Sequence, residues 1–541
     1  MLQSGLITSE QLSTFCHALA RSGEEIWRLS AFSNLVPLDD LLAQARVSDE
    51  RRKSGKSLSM LDGIPVSVKS NLAVASQPLH AGSRVLQQEQ CCGYDADATN
   101  VLLRDCGSVL IGMTSMDEFG MGSLGTNVVS NIGSDVFTTN PTPYLSRLRF
   151  SSSSNSNDDL MVAKTITKPI DEIMELHLMA MEEDEERFSA GGSSCGSAVS
   201  IAHGSSLLSL GTDTGGSIRL PAAWCGVCGL KPSYGLLSRH GVISYASSFD
   251  TVGILGRSSD CLAIALDKLA QCDGFGRRDS TSSYDDFPQS LCSIDYSNDL
   301  SDIIVGIPSA LSIKECPPKI KEAWSRAAQL LSKKGASVQI LDEEDLDPAL
   351  FRQSLAAYYV LVSAEASSNL SRYDGFRYGV ASDNDSLPEA VAHAELTPLE
   401  FQYSQTRVQS FGKDVARRIL CGVSVLSSDR FHSHYESAAK LRAALSSQLH
   451  QILKDKVDII LFPTAVSLPW SLDRRQVDTT EMFSNDILTV VANLAGLPAM
   501  SIPVSIAQDH YFKAGLQVVG PRLQEDVLLR VGNALEHNAT T

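Results

Sequence analysis

The chain has 541 residues, 43% of them hydrophobic and 20% charged, which is ample material for a buried core. Its 45 basic residues are outnumbered by 63 acidic ones, for a formal net charge of −18, which disfavours general binding along a phosphate backbone. The 12 cysteines follow no secreted-scaffold spacing and read as reduced thiols, and no run approaches the roughly 18 apolar residues of a membrane span.

Helical patterning is predicted over 6–33 and 39–53. The first of these contains Glu10, Glu24 and Glu25 without a basic cluster, so it reads as an amphipathic helix, not a signal peptide, and makes a poor transit sequence, and the compartment stays open. A strand over 63–70 (GIPVSVKS), a helix over 95–106 and a strand over 107–112 follow, an alternation suited to a sheet with helices outside. Residues 134–188 break the pattern with SSSSNSNDD at 151–159 and a helical piece ending in EEDEER. The polar tract cannot bury enough apolar surface to offset its ordering entropy, so the segment reads as a surface insertion, plain or used for docking. After the glycine-rich 190–257, strands are expected at 303–308, 336–341, 457–463, 498–505 and 513–519. Helices are expected at 317–334, 350–371, 400–455, 485–496 and 523–536. No internal repeat is present. The expected fold is a single α/β domain over 1–541, a mixed twisted sheet with helices on both faces and the catalytic loop at strand ends.

The densest glycine–serine stretch joins Gly191-Gly192-Ser193-Ser194-Cys195-Gly196-Ser197 to Gly211-Thr-Asp-Thr-Gly-Gly-Ser217. Apolar Val199–Ala202 and Leu207–Leu210 supply a helix and a strand between them, so both turns can return to one place. One reading is a serine nucleophile with the backbone N–H groups of Thr214, Gly215, Gly216 and Ser217 as an oxyanion pocket. The other is an anion-binding loop, since glycine-rich loops alone are weak evidence. A serine hydroxyl needs a base. Only His203 and His240 lie nearby in sequence, whereas Lys69 sits on an apolar strand where burial would depress its pKa.

The stretch GGSSCGSA…GTDTGGSIRLPAAWCGVCGLKPSYG resembles the amidase signature, and GIPVSVKSN (63–71), TSMDEFGMGS (114–123) and SRHGVISYASSFDTVGIL (238–255) extend the likeness over nearly the whole chain. The resemblance implies that Lys69 is the base, Ser193 a bridging serine on a cis peptide, and Ser217 the acyl-forming nucleophile. A hydroxyl donates and accepts, so Ser193 can relay a proton from Ser217 to Lys69. Cys195 replaces the usual glycine of this signature and is harmless if its backbone is helical.

Within the family, SAEASSNLSRYDGFRYG (363–379), FGKDVARRILCGVSVLS (411–427) and SNDILTVVANLAGLPAMSIPV (484–504) resemble the A subunits of glutamyl-tRNA(Gln) amidotransferases. That likeness implies a glutaminase whose substrate is held by Tyr358, Arg418 and Asp486. The corresponding bland readings are a core tyrosine, a helix-surface charge beside Arg417, and an N-cap before 487–496. It further implies a B-type partner that binds Glu-tRNA(Gln) and uses ATP and magnesium, a C-type linker protein, and no cofactor or metal in this chain. An insertion just before GGSSCGS resembles the animal mitochondrial form, with a cytoplasmic location as the alternative. Cys225-Gly-Val-Cys228 mimics a redox or half-zinc motif, but coming straight after the catalytic loop it reads as buried packing. The competing functions are a free-standing amidase for small or fatty amides and a non-catalytic scaffold.

Overall fold

Short runs of β-branched and aliphatic residues form the framework of the computed structural model. It describes residues 1–86, 90–129, 135–147, 165–179, 186–270, 278–283, 299–381, 396–473, 483–506 and 511–536. In chain order the strands are β1 (Phe32–Leu35), β2 (Pro65–Lys69), β3 (Val109–Thr114), β4 (Val128–Val129), β5 (Asp135–Val136), β6 (Leu208–Asp213) and β7 (Cys228–Lys231). They continue with β8 (Thr251–Gly256), β9 (Ile304–Pro308), β10 (Ser337–Leu341), β11 (Ile459–Pro463), β12 (Ala499–Ser505) and β13 (Lys513–Val519). Strands β4 and β5 make a small separate pair, and the other 11 form one sheet in the order β1-β3-β2-β6-β8-β7-β12-β13-β11-β9-β10.

The sheet is mixed. β2 runs parallel to both β3 and β6, and β9 parallel to β10 and β11, while the pairings through β8, β7, β12 and β13 are antiparallel. Every residue of β2, β3, β6, β7, β8 and β11 is buried, which requires cover on both faces. The outermost β1 and β10 are half open. One apolar cluster connects Leu2, Val66, Ile254, Val305, Leu461 and Leu535, so among the described residues the segments on either side of 290–310 share one core.

Several expected boundaries move. The helix expected over 6–33 ends at Glu25, because Arg28 and Ser30 take positive φ (50° and 53°) and the Glu24 carboxylate accepts from the N–H groups of Ala31 and Phe32, turning the chain into β1. The 400–455 helix is three helices, Pro398–Ser410, Lys413–Val425 and Glu436–Asp455. The 485–496 helix shortens to Val490–Ala495. Central strands β7 and β8 carry no period-2 alternation because both of their faces are buried, which is why the pattern did not single them out.

The described parts of 134–188 pack against the body of the protein at Trp27 and Trp224. Tyr144 stacks on Trp27 at 5.1 Å, Asn140 Nδ2 donates to the Trp224 carbonyl at 2.8 Å, and Trp27 Nε1 donates to the His177 carbonyl at 2.9 Å. The helix Ile170–Met179 packs against the first helix. The tract 151–159 itself lies outside the described residues.

Candidate active site

Because β2 and β6 are parallel neighbours, their C-terminal ends open on the same edge, where open α/β sheets place their ligands. Lys69 is the last residue of β2, and β6 ends at Asp213, directly before the Thr214–Ser217 loop. The Lys69 side chain is fully buried, and burial lowers its pKa to about 8. Its Nζ lies 2.9 Å from Ser193 Oγ, 2.8 Å from Ser194 Oγ and 3.0 Å from Thr212 Oγ1. A neutral amine has two N–H donors and one lone pair. Ser194 Oγ donates to the Thr212 carbonyl at 3.2 Å, so its proton is engaged, which leaves the Ser193 hydroxyl to point its proton at the Lys69 lone pair. The Gly192–Ser193 peptide is cis. Ser217 is half-buried, and its carbonyl accepts from Ser194 N at 3.1 Å. Among the described residues no hydrogen bond joins Ser217 Oγ to Ser193 Oγ, a contact that catalytic sites often tighten only with substrate bound.

The loop is fixed from beneath by an ion pair that sequence reasoning missed. Asp213 and Arg219 are both fully buried and pair through two contacts of 3.0 Å. Burial alone would raise the Asp213 carboxyl, but Arg219 holds it to about 2. Arg219 also donates to the Thr489 carbonyl and to Gln517, and Asn493 Nδ2 donates to Asp213 at 2.8 Å. The legible signal was an arginine six residues after an aspartate inside an otherwise apolar, glycine-rich run.

This pair corrects one expectation. The Gly216 N–H donates to Asp213 Oδ1 at 2.9 Å and so is not available to an oxyanion, whereas the amides of Thr214, Gly215 and Ser217 have no acceptor among the described residues. Gly216 has φ 134°, and a Cβ there would meet Thr489 Oγ1 at 2.3 Å, so only glycine fits. Arg219→Met is expected to cost about 3–5 kcal/mol of folding stability by leaving Asp213 buried and unpaired. Urea unfolding measures this, and an unchanged midpoint would remove the pair from this role.

Tyr358, Arg418 and Asp486 meet beside the loop. Tyr358 lies on Gly215, where a Cβ would come within 2.2 Å of its Oη, and packs edge-on to Phe249. Its neighbour Tyr359, not selected from sequence, donates from Oη to Asp486 Oδ2 at 2.7 Å, and Ser123 Oγ donates to the same oxygen at 2.8 Å. Asp486 is therefore not an N-cap. Burial raises its carboxyl to about 6, partly offset by these two hydroxyls. Arg418 is buried, lying 5.7 Å over the Tyr359 ring and 5.6 Å over the Phe483 ring, while Arg417 remains on the surface and pairs with Asp414. Arg418 Nη1 reaches the Asp414 carbonyl at 3.3 Å, and its buried Nε has no hydrogen-bond partner. Thr489 Oγ1 donates to the Gly215 carbonyl at 2.6 Å, tying the Asp486 segment to the catalytic loop.

Other candidates lie elsewhere. His203 pairs with Ser205 and packs against Trp27 and His177. Lys231 is buried and donates to the Pro232 carbonyl at 2.8 Å. Cys195 opens the helix Cys195–His203 and is not among the positive-φ residues, so its side chain is accommodated without strain. Cys225 faces the Ala190 carbonyl and Cys228 faces Glu536, so the two thiols serve separate packing contacts. Among the described residues no group of three or more His, Cys, Asp or Glu side chains gathers in a metal-binding arrangement, and no helix is long and apolar enough to cross a membrane.

Known proteins match this chain over most of its length. The family described as Amidase matches residues 10–153 and 184–529, the gap falling inside the segment read as an insertion. The A subunit of the glutamyl-tRNA(Gln) amidotransferase of Chloroflexus aurantiacus is 34% identical over 535 residues, covering 99% of this chain and 94% of the relative. Its counterpart in Microcystis aeruginosa is 34% identical over 514 residues, covering 94% and 90%. Among solved structures, the counterpart from Thermotoga maritima aligns with a TM-score of 0.64 at 27% identity, covering 88% of this chain and 84% of that one. The peptide amidase of Stenotrophomonas maltophilia shares the fold at 22% identity, with a TM-score of 0.67 and coverage of 99% and 95%. The chain belongs to the amidase family.

Proposed function

We propose that this chain is the glutamine-hydrolysing A subunit of a glutamyl-tRNA(Gln) amidotransferase, supplying ammonia for the conversion of Glu-tRNA(Gln) to Gln-tRNA(Gln). The observation that carries the reading is a buried guanidinium with an unpartnered Nε (Arg418) and a buried carboxylate (Asp486) flanking one aromatic ring beside the Ser217 loop. Two opposite charges there suit the α-carboxylate and α-ammonium of an amino acid, and a fatty amide would bring a counter-charge to neither. In this reading Ser217 Oγ attacks the side-chain amide carbon while its proton passes through Ser193 to Lys69. The tetrahedral oxyanion rests on the amides of Thr214, Gly215 and Ser217. Lys69 then returns the proton through Ser193 to the departing nitrogen, ammonia leaves, and water releases glutamate by the same route in reverse.

The full-length likeness to bacterial A subunits supports assembly with B-type and C-type partners. ATP, magnesium and most tRNA contacts would belong to the B-type partner, consistent with the acidic charge of this chain. The mitochondrial location is part of the proposal and rests on the insertion preceding Gly191; fractionation of cells expressing the tagged chain tests it. The function is tested by ammonia release from glutamine, first by the chain alone and then with both partner proteins, Glu-tRNA(Gln) and ATP. Arg418→Ala is expected to raise the glutamine KM by about 10–100-fold, the loss of a charged hydrogen bond. Unchanged glutamine kinetics, or faster turnover of simple aliphatic amides, would favour a free-standing amidase instead.

A further inference from the structure

The segment 114–127 touches three parts of the site. The Asp117 N–H donates to the Ser193 carbonyl at 3.3 Å, and a Cβ on Gly120 would stand 3.5 Å from Ser193 Oγ. Ser123 Oγ donates to Asp486. The Glu118 side chain reaches in a third direction, to the start of the helix Lys413–Val425 that carries Arg418. Glu118 is buried and lies outside the proton path from Ser217 to Lys69. Its Oε1 accepts from Ser83 Oγ at 2.6 Å, and its Oε2 accepts from the Gly412 N–H at 2.7 Å.

Gly412 precedes the first turn of that helix and has no side chain to cap it, so a carboxylate 294 residues away in the chain supplies the acceptor. An anion there also suits the positive end of the helix. The approach requires glycine, because a Cβ on Gly412 would come within 2.5 Å of Glu118 Oε2. Asn127 Nδ2 donates to Asp414 on the same first turn, a second grip from the same segment. Farther along, Gly422 rests on the helix Pro348–Asn369, where a Cβ would meet the Ser363 carbonyl oxygen at 2.0 Å. Arg418 lies between these two anchors, one turn past the Asp414 carbonyl that its Nη1 reaches. The backbone around Glu118 does not depend on its carboxylate. Asp117 accepts from the N–H groups of Gly125 and Asn127, the Glu118 N–H donates to the Asn127 carbonyl, and the Phe119 N–H donates to the Ala81 carbonyl. Removing the carboxylate therefore frees the start of the Arg418 helix and leaves the peptide that supports Ser193 in place. A binding group holds its geometry only as well as its support is locked.

We propose that Glu118 is a positioning residue for the substrate: by anchoring the start of the helix Lys413–Val425 it sets where the Arg418 guanidinium stands relative to the Ser217 loop. The proposal rests on the reading of Arg418 as the partner of the α-carboxylate. The test is steady-state glutaminase kinetics in the assembly with both partner proteins, Glu-tRNA(Gln) and ATP. Glu118→Met removes both acceptors at similar side-chain length and is expected to raise the glutamine KM about tenfold while kcat stays within about twofold. Glu118→Gln can still accept from Gly412 while its NH₂ donates to Ser83 Oγ, so its KM should stay within about threefold of the parent. In the Arg418→Ala background Glu118→Met should add no further rise, because its effect passes through the guanidinium. If Glu118→Met does not fold, Gly412→Ala takes its place with the same expected outcome, since its Cβ would force Glu118 and the helix apart at a φ of −70° that alanine adopts freely. The proposal is overturned by an unchanged KM, by a fall in kcat at constant KM, which would place the effect at Ser193, or by failure of glutamine at position 118 to preserve KM. It is also overturned if the KM rise is as large in the Arg418→Ala background. Should Arg418→Ala alone leave the glutamine KM unchanged, the amino-acid reading falls and this proposal with it, a result seen before any Glu118 variant is made.

Discussion

Replacing Lys69 by alanine is expected to lower glutaminase kcat by about 10²–10⁴-fold, the usual contribution of a positioned base, with little change in the glutamine KM. Lys69 is the cation whose Nζ contacts Ser193, and the groups that would hold the amino-acid head, Arg418 and Asp486, are separate from it. Burial lowers the Lys69 ammonium to about 8, and a base must be unprotonated to accept. Activity should therefore rise with pH through about 8 and fall about tenfold per unit below it. Asp486, raised to about 6, must be ionised to hold an α-ammonium, so its protonation steepens the loss in the same direction near pH 6. A steady-state kcat/KM profile from pH 5.5 to 9 checks both. Near-normal turnover in Lys69→Ala would transfer the role to another base, the buried Lys231, lowered to about 7, being the first to examine.

Ser217, and not Ser193 or Ser194, is expected to carry the covalent glutamyl ester. Ser217→Ala should abolish the adduct, while Ser193→Ala should slow its formation and breakdown yet leave a trace. The geometry separates the roles. Ser217 closes the loop whose amides at Thr214 and Gly215 have no acceptor among the described residues, and losing one oxyanion donor typically costs ~10²–10³ in rate, so the nucleophile belongs where those donors converge. Ser193 and Ser194 are buried against Lys69, where a hydroxyl can pass a proton but a substrate carbonyl has less room. Quenching with acid during turnover of glutamine and mapping the added mass by peptide mass spectrometry decides it. A label on the 190–198 peptide, with none on the peptide containing Ser217, would reverse the assignment.

Much of this site was legible because its parts are local. The spacing from Ser193 to Ser217 accommodates one helix and one strand, and Lys69 ends a strand whose alternating valines announce burial. Long motifs carried the family likeness, and glycines marked the positions where another group must approach the backbone, as Tyr358 does at Gly215. Cys195 was also readable, since a residue opening a helix does not need positive φ.

What the sequence determined by itself was therefore the residue types with their local conformations: a buried lysine, two serine turns and the apolar strands between them. What only the tertiary structure decided were contacts between distant segments, whose partners no spacing rule links. Choosing Tyr359 over Tyr358 as the partner of Asp486 depends on which face of a 22-residue helix meets residue 486, and adjacent positions on a helix differ by about 100°. The loss of the Gly216 amide to Asp213 depends on Arg219 and Asn493 closing on one carboxylate while Gln517 holds Arg219, residues from three parts of the chain. The docking of Tyr144 and His177 on Trp27 joins segments that lie far apart in the sequence. Local propensity fixes one residue at a time, whereas burial and hydrogen-bond satisfaction are properties of the assembled neighbourhood, and these three contacts exist only there.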